Sequence, residues 1–152
     1  MLGTFDSKGA EFDYLYEELK RRDLDIMTMN TGVFSPVNTF PLDITAEQVA
    51  AAAGADLDAI RSRGDRGEAM KIMCQGARAV VVRLHQAGEI HGVISMGGGG
   101  GTSIATTAMQ ALPIGFPKVC ITTLASGDTS EYVGTRDIVL YPSIVDICGI
   151  NN

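Results

Sequence analysis

Five consecutive glycines, Gly97 to Gly101, interrupt this chain between a short apolar run and a helix-forming segment. Glycine costs backbone entropy, and a packed core has no use for such a run. Residues 91–96 read as a strand and residues 102–112 as a helix, so Ser95-Met96-Gly97-Gly98-Gly99-Gly100-Gly101-Thr102 sits at a βα junction. Glycines there let the backbone approach a ligand closely and adopt positive φ. The helix behind them aims free N–H groups and its positive end at that ligand. Thr102 and Ser103 add hydroxyl donors or cap the helix. The run is no Walker A, because no Gly-Lys-Ser/Thr ends it. It is no clean GxGxxG either, since the last position falls on Thr102 or Ser103. The expectation is a phosphate or carboxylate site; a ligand-free flexible connector is the bland alternative.

The rest of the chain alternates strands and helices around this junction. Residues 2–5 read as the end of a strand. A helix follows with Phe12, Leu15, Tyr16 and Leu19 on one face. Residues 24–30 read as a second strand and 31–42 as a loop with Pro36 and Pro41. Thr45-Ala46-Glu47-Gln48 is a capping box opening a helix that stops at Gly54. Asp65 caps a long helix to Gln86, with Ala69, Met73, Ala77, Val80 and Leu84 as its apolar stripe. Residues 118–124 and 137–141 read as further strands, with a polar loop over 126–134 between them. This pattern predicts an α/β fold: three-layer, doubly wound and Rossmann- or flavodoxin-like. Its mostly parallel sheet should have about five strands in the order 2-1-3-4-5. A length of 152 residues suits one domain. Residues 1–142 are read as that domain and 143–152 as a connector to a second one, because both ends read as cut.

Two further loops carry chemistry. Gly3-Thr4-Phe5-Asp6-Ser7-Lys8-Gly9 offers a hydroxyl, a carboxylate and an amine at the first βα junction. Asp6 could hold Mg²⁺ or a ribose hydroxyl, and Lys8 could meet a phosphate. The plain reading is an aspartate cap beside a solvated lysine. Ala125-Ser126-Gly127-Asp128-Thr129-Ser130 places Asp128 as a metal or hydroxyl ligand, or else in a polar turn. In the order 2-1-3-4-5, the Asp6 loop and the glycine loop flank the topological switch point, with the Asp128 loop next door. Weaker candidates are His85, Glu89 and His91, which Gly88 keeps from sharing a helix face.

Charge excludes some functions. Twelve Lys and Arg against 18 Asp and Glu give a net charge of -6, which disfavours broad nucleic-acid or anionic-membrane binding. Cys74, Cys120 and Cys148 match no zinc or redox spacing and read as free thiols in a reducing compartment. No signal peptide is recognised and no apolar run reaches about 18 residues, so a soluble cytoplasmic protein is expected. Residues 143–150 are apolar with no evident partner, which predicts a homo-oligomer.

The ordered set of Gly3–Gly9, Asp65-Arg66-Gly67-Glu68-Ala69-Met70, the glycine run, and Asp128 through Tyr132-Val133-Gly134 resembles the N-terminal domain of the tomato mosaic virus resistance protein-like, ATP-binding family. That resemblance implies a longer parent protein in which a second domain follows this one. Its plant resistance member inhibits viral RNA replication by binding the replication protein. The resemblance also implies nucleotide contacts from Thr4, Asp6, Lys8, Gly98 to Thr102, and Asp128. Three functions compete on this reading. One is the ATP-binding domain of an enzyme acting on a small metabolite, with Asp6, Lys8 and Asp128 as the available chemical groups. The others are a non-catalytic protein-interaction module and a small-carboxylate sensor.

Overall fold

The structure is a computed structural model that describes residues 1–143. Five strands and six α-helices alternate along it. They are β1 (Leu2–Gly3), α1 (Phe5–Lys20), β2 (Met29–Asn30), α2 (Ala46–Ala52), α3 (Leu57–Arg63), α4 (Arg66–Gln86), β3 (Val93–Gly97), α5 (Gly99–Gln110), β4 (Lys118–Thr122), α6 (Ser130–Val133) and β5 (Val139–Pro142). A 3-10 turn, Thr123–Ser126, follows β4. All ladders are parallel, and they form a two-stranded β1-β2 sheet and a three-stranded β3-β4-β5 sheet. β1 lies against β3 without a ladder between them, so the order 2-1-3-4-5 is present with a break after β1. The architecture is the α/β, Rossmann-like one that the strand-helix alternation predicts.

The sheet separates two apolar clusters. Val93 and Cys120 face a large core with Met73, Ala77, Val80, Ile104 and Ala108. Met96, three residues further along the same strand and so on its opposite face, packs with Phe5, Phe12 and Phe40. Helices therefore cover both faces, which is what parallel strands need. Phe5 and Phe12 meet edge-on at 4.8 Å between centroids, and Phe5 meets Phe40 the same way at 5.0 Å. Helix α2 crosses α4 so closely that a Cβ on Gly76 would stand 2.0 Å from the Val49 carbonyl oxygen.

Several boundaries differ from expectation. α5 begins at Gly99, so three of the five glycines are helical. None of the five has positive φ, and the conformational reason offered for them does not apply. α1 begins at Phe5, which was read as the end of the strand, and kinks at Lys8 (φ -133°, ψ 25°). β2 is two residues long, because Thr28 is tied to Asp43 and Pro41 across the following loop. α3 was not expected at all. Asp56 caps its start and Gly64, at φ 65°, ends it in the left-handed region. The expected loop over 126–134 contains α6. Of the apolar stretch 143–150, all but Ser143 lies outside the described residues. No helix among the described residues is long and apolar enough to cross a membrane.

Candidate functional site

A cavity of about 540 Å³ opens at the carboxyl ends of β1, β2 and β3. Its size falls in the range of small-molecule sites. The start of α1 supplies Thr4, Asp6, Ser7 and Lys8, and the start of α5 supplies Gly98, Gly99, Gly100 and Gly101. The two loops read as facing each other across the switch point therefore do line one space. Their approach is close, since a Cβ on Gly101 would lie 3.7 Å from the Thr4 hydroxyl oxygen.

The glycine end presents backbone N–H groups at the start of a helix. Gly98 caps α5 without a side-chain hydrogen bond, and Thr102 N–H is the first to reach back, to Gly98 O at 2.9 Å. The N–H groups of Gly99, Gly100 and Gly101 thus have no intrahelical partner. Packing does not call for these glycines. A Cβ on Gly99 would meet nothing within 4 Å, one on Gly98 only Thr123 Oγ1 at 3.9 Å, and one on Gly100 only Met70 Cε at 2.8 Å, the end of a flexible side chain that would have to shift. Each glycine in a helix costs about 0.5–1 kcal/mol relative to alanine. That cost has no return in protein contacts, and the missing Cβ atoms leave the cavity side of the turn bare.

Thr102, by contrast, points into the protein. It is fully buried, and its hydroxyl lies 2.6 Å from that of Thr122. Thr106 in turn donates to Thr102 O at 2.8 Å, so this polar layer pins the start of α5 to β4. Gly97 ends β3 and does not line the cavity. Asp128 does not line it either. It is exposed and accepts Ser130 N–H at 2.9 Å; that bond holds its carboxyl below the usual range. The trio of Asp6, Lys8 and Asp128 is therefore not brought together, and Asp6 and Lys8 remain.

At the other end, Asp6 Oδ2 accepts the Phe34 N–H at 3.0 Å. Gly32 makes room for this carboxylate, because a Cβ there would stand 2.4 Å from Asp6 Cγ. Asn30 Oδ1 ties the two strand ends, accepting from Phe5 N–H at 3.2 Å and Gly32 N–H at 2.9 Å. The segment after β2 and the α3–α4 corner also contribute lining that motif reading missed: Thr31, Val33, Phe34, Ile60, Arg61, Arg66 and Met70. The corner had a signal in Asp65-Arg66-Gly67-Glu68, which was read as a helix cap and as part of the family resemblance, with no ligand role. Arg61 donates to Val33 O and pairs with Asp58 and Glu47. Lys8 and Arg66 have no ion pair among the described residues. Three cationic side chains thus meet two carboxylates, Asp6 and Asp65, in a chain that is acidic as a whole. Phe34 lines the cavity and stands 67% exposed.

Comparison with known proteins places the chain. Residues 1–152 match the family described as "Uncharacterised protein family (UPF0261) N-terminal domain". The chain is 44% identical to a UPF0261 protein of Clostridium tetani over 99% of its own length and 37% of the relative's. It is 38% identical to one of Mesorhizobium japonicum, covering 99% of this chain and 37% of that one. It is 36% identical to the ToMV resistance protein Tm-1(GCR237) of Solanum lycopersicum, covering 99% of this chain and 22% of that protein. The chain therefore spans well under half the length of these relatives, and it belongs to the UPF0261 N-terminal domain family.

Proposed function

We propose that this domain binds a phosphate-bearing ligand, with ATP as the form the site suits best, in the cavity between the starts of α1, α4 and α5. The observation that carries this is the bare glycine turn. Four cavity-lining glycines, free N–H groups and a helix dipole converge there, and protein packing asks for none of the glycines. Lys8 and Arg66, which have no ion pair among the described residues, supply positive charge for the phosphates. Phe34, Val33, Ile60 and Met70 supply apolar wall for a base.

Magnesium fits this arrangement through Asp6, whose second carboxylate oxygen has no described partner. Mg²⁺ commonly takes one or two carboxylates together with substrate phosphate oxygens. Bound there, the ion would neutralise phosphate charge beside an aspartate that would otherwise repel it. The chain's own residues hold and orient: Phe34 N–H fixes Asp6, and Thr102 with Thr122 fixes the phosphate turn. The longer parent protein and a self-assembled state remain part of the same proposal.

Calorimetric titration with ATP, ADP, tripolyphosphate and simple carboxylic acids, with and without Mg²⁺, tests the reading. ATP and tripolyphosphate should bind, and Gly99→Val should abolish both while leaving the fold intact. Unchanged ATP affinity in folded Gly99→Val would overturn it. Carboxylic acids binding where ATP does not would replace it with a carboxylate sensor.

A further inference from the structure

One face of the sheet is covered only in part. On the α5 side, Val93, Cys120 and Leu140 pack against the large core. On the α1 side, the parallel register aligns two rows across β3, β4 and β5: Ile94, Val119 and Val139 in one, Met96, Ile121 and Tyr141 in the other. In the second row burial falls with distance from α1. Met96 packs with Phe5 and Phe12, Ile121 is half-buried, and Tyr141 is 63% exposed. In the first row none of the three belongs to either apolar cluster, and Val139 is 56% exposed. Among the described helices α1 alone packs on this face. α2, α3, α4 and α5 bury their apolar residues in the other cluster, and α6 lies against α5. Single apolar residues at a surface are ordinary, but a continuous apolar strip across parallel strands is not, because such strands are covered on both sides.

We propose that this strip seats an apolar helix from the chain that follows the domain in its longer relatives. Those relatives extend far past it: the match is to an N-terminal domain and covers 37% of the Clostridium tetani protein. β5 is the last described strand and the outer edge of the sheet, so chain leaving Pro142 departs beside Val139 and Tyr141. The topology gives the side. The β3-to-β4 and β4-to-β5 connections both run over the α5 face, as right-handed crossovers in one direction must. A helix that leads back across the sheet lies on the α1 face, and a doubly wound fold carries helices on both. The widths agree. Packed helices stand about 10 Å apart and strands about 4.8 Å, so one helix covers roughly two strands. α1 takes β1 and β3, where Phe12 fills the space beside Gly3 and meets Met96. β4 and β5 are left, the width of one more helix. The strip shares no residue with the cavity lining and stands apart from the ligand reading.

Hydroxyl-radical footprinting at Tyr141 tests this, on the full-length protein that carries the domain and on the 152-residue chain. Tyr141 should react in the 152-residue chain and lose that reactivity in the full-length protein. The loss should hold at every protein concentration, since the cover belongs to the same molecule. A photo-crosslinking residue placed at position 139 of the full-length protein should capture a peptide C-terminal to this domain, with apolar residues at helical spacing. Val139→Lys should lower the unfolding midpoint of the full-length protein. In the 152-residue chain it should leave the midpoint in place, as a charge on an exposed edge strand does. Equal Tyr141 reactivity in the two proteins would overturn the proposal. Protection that fades on dilution would also overturn it, in favour of a second copy of the chain as the cover. So would capture of a peptide from within residues 1–152.

Discussion

The Asp6 carboxylate occupies the space a side chain at position 32 would take: a Cβ on Gly32 would lie 2.4 Å from Asp6 Cγ. The first and second βα loops are thereby locked together, since Phe34 N–H also bonds Asp6 Oδ2. Gly32→Ala should drive the carboxylate out of place and cost about 1–3 kcal/mol, the usual penalty for overfilling a packed site. Asp6→Ala in the same chain should recover most of that loss, a non-additivity expected of touching residues. Urea unfolding of the two single variants and the double variant measures it. Simple additivity would show that Asp6 moves aside freely.

The glycine turn should set stability against binding. Gly99 lies in the first turn of α5 with open space around its Cβ position. Gly99→Ala should therefore raise unfolding stability by about 0.5–1 kcal/mol, through reduced backbone entropy in the unfolded chain. The same change should weaken phosphate binding, because the methyl intrudes on the bare face. A variant that gains stability and keeps full ATP affinity would mean the glycines serve no ligand.

Lys8 and Asp6 separate charge from metal. Lys8→Ala should weaken ATP binding by about 1–3 kcal/mol, as expected for a charge-assisted hydrogen bond. Asp6→Asn should weaken it mainly in the presence of Mg²⁺ if the carboxylate meets the ion. It should weaken ATP equally with and without Mg²⁺ if the carboxylate meets a hydroxyl. Titrations of both variants with ATP, in Mg²⁺ and in chelator, distinguish these. Affinities matching wild type throughout would reduce the loop to a helix start.

Much of this arrangement is legible in the residues, and the gaps have physical causes. The capping box of Thr45 and Gln48 and the Asp65 cap of α4 are local signals, and both form as read. The alternation of strands and helices carries the fold class for the same reason. α3 was missed because seven residues with two buried apolar positions, Leu57 and Ile60, are too few for a period to register. β2 was read too long because Leu24, apolar in sequence, is 53% exposed. At the site, the glycine turn is visible as a run; of the two reasons read for it, positive φ does not apply, and close backbone approach is the one the proposed site uses. Thr102 looked like a ligand hydroxyl because sequence order cannot show that Thr122 is 2.6 Å away. Thr31, Phe34 and Arg66 were missed because only the tertiary fold brings their loops to the glycines.

The side chain of Lys118 is entirely buried at the start of β4. Its ammonium lies 2.7 Å from Asp137 Oδ1 and donates to Pro113 O at 2.8 Å and Phe116 O at 2.7 Å. Asp137 Oδ2 also accepts Gly115 N–H at 2.7 Å, so one pair fastens the α5–β4 turn to the entry of β5. The Lys118 hydrogen bond, followed by the Gly115 N–H, holds the Asp137 carboxyl below its ordinary value. A carboxyl depressed in the folded state contributes its full stabilisation above the unfolded value, about 3.9, and loses it as pH falls through the folded one. Wild type should therefore lose stability on acidification through this window. Asp137→Asn should be less stable at neutral pH, because a buried ammonium keeps only neutral partners. The gap between the two proteins should close as the pH drops and the wild-type aspartate takes up its proton. Denaturant titrations from neutral pH to about pH 3 read the gap directly. A gap that stays constant across that range would show that the pair contributes no pH-dependent stability, and that the turn is held by Pro113 and Phe116 alone.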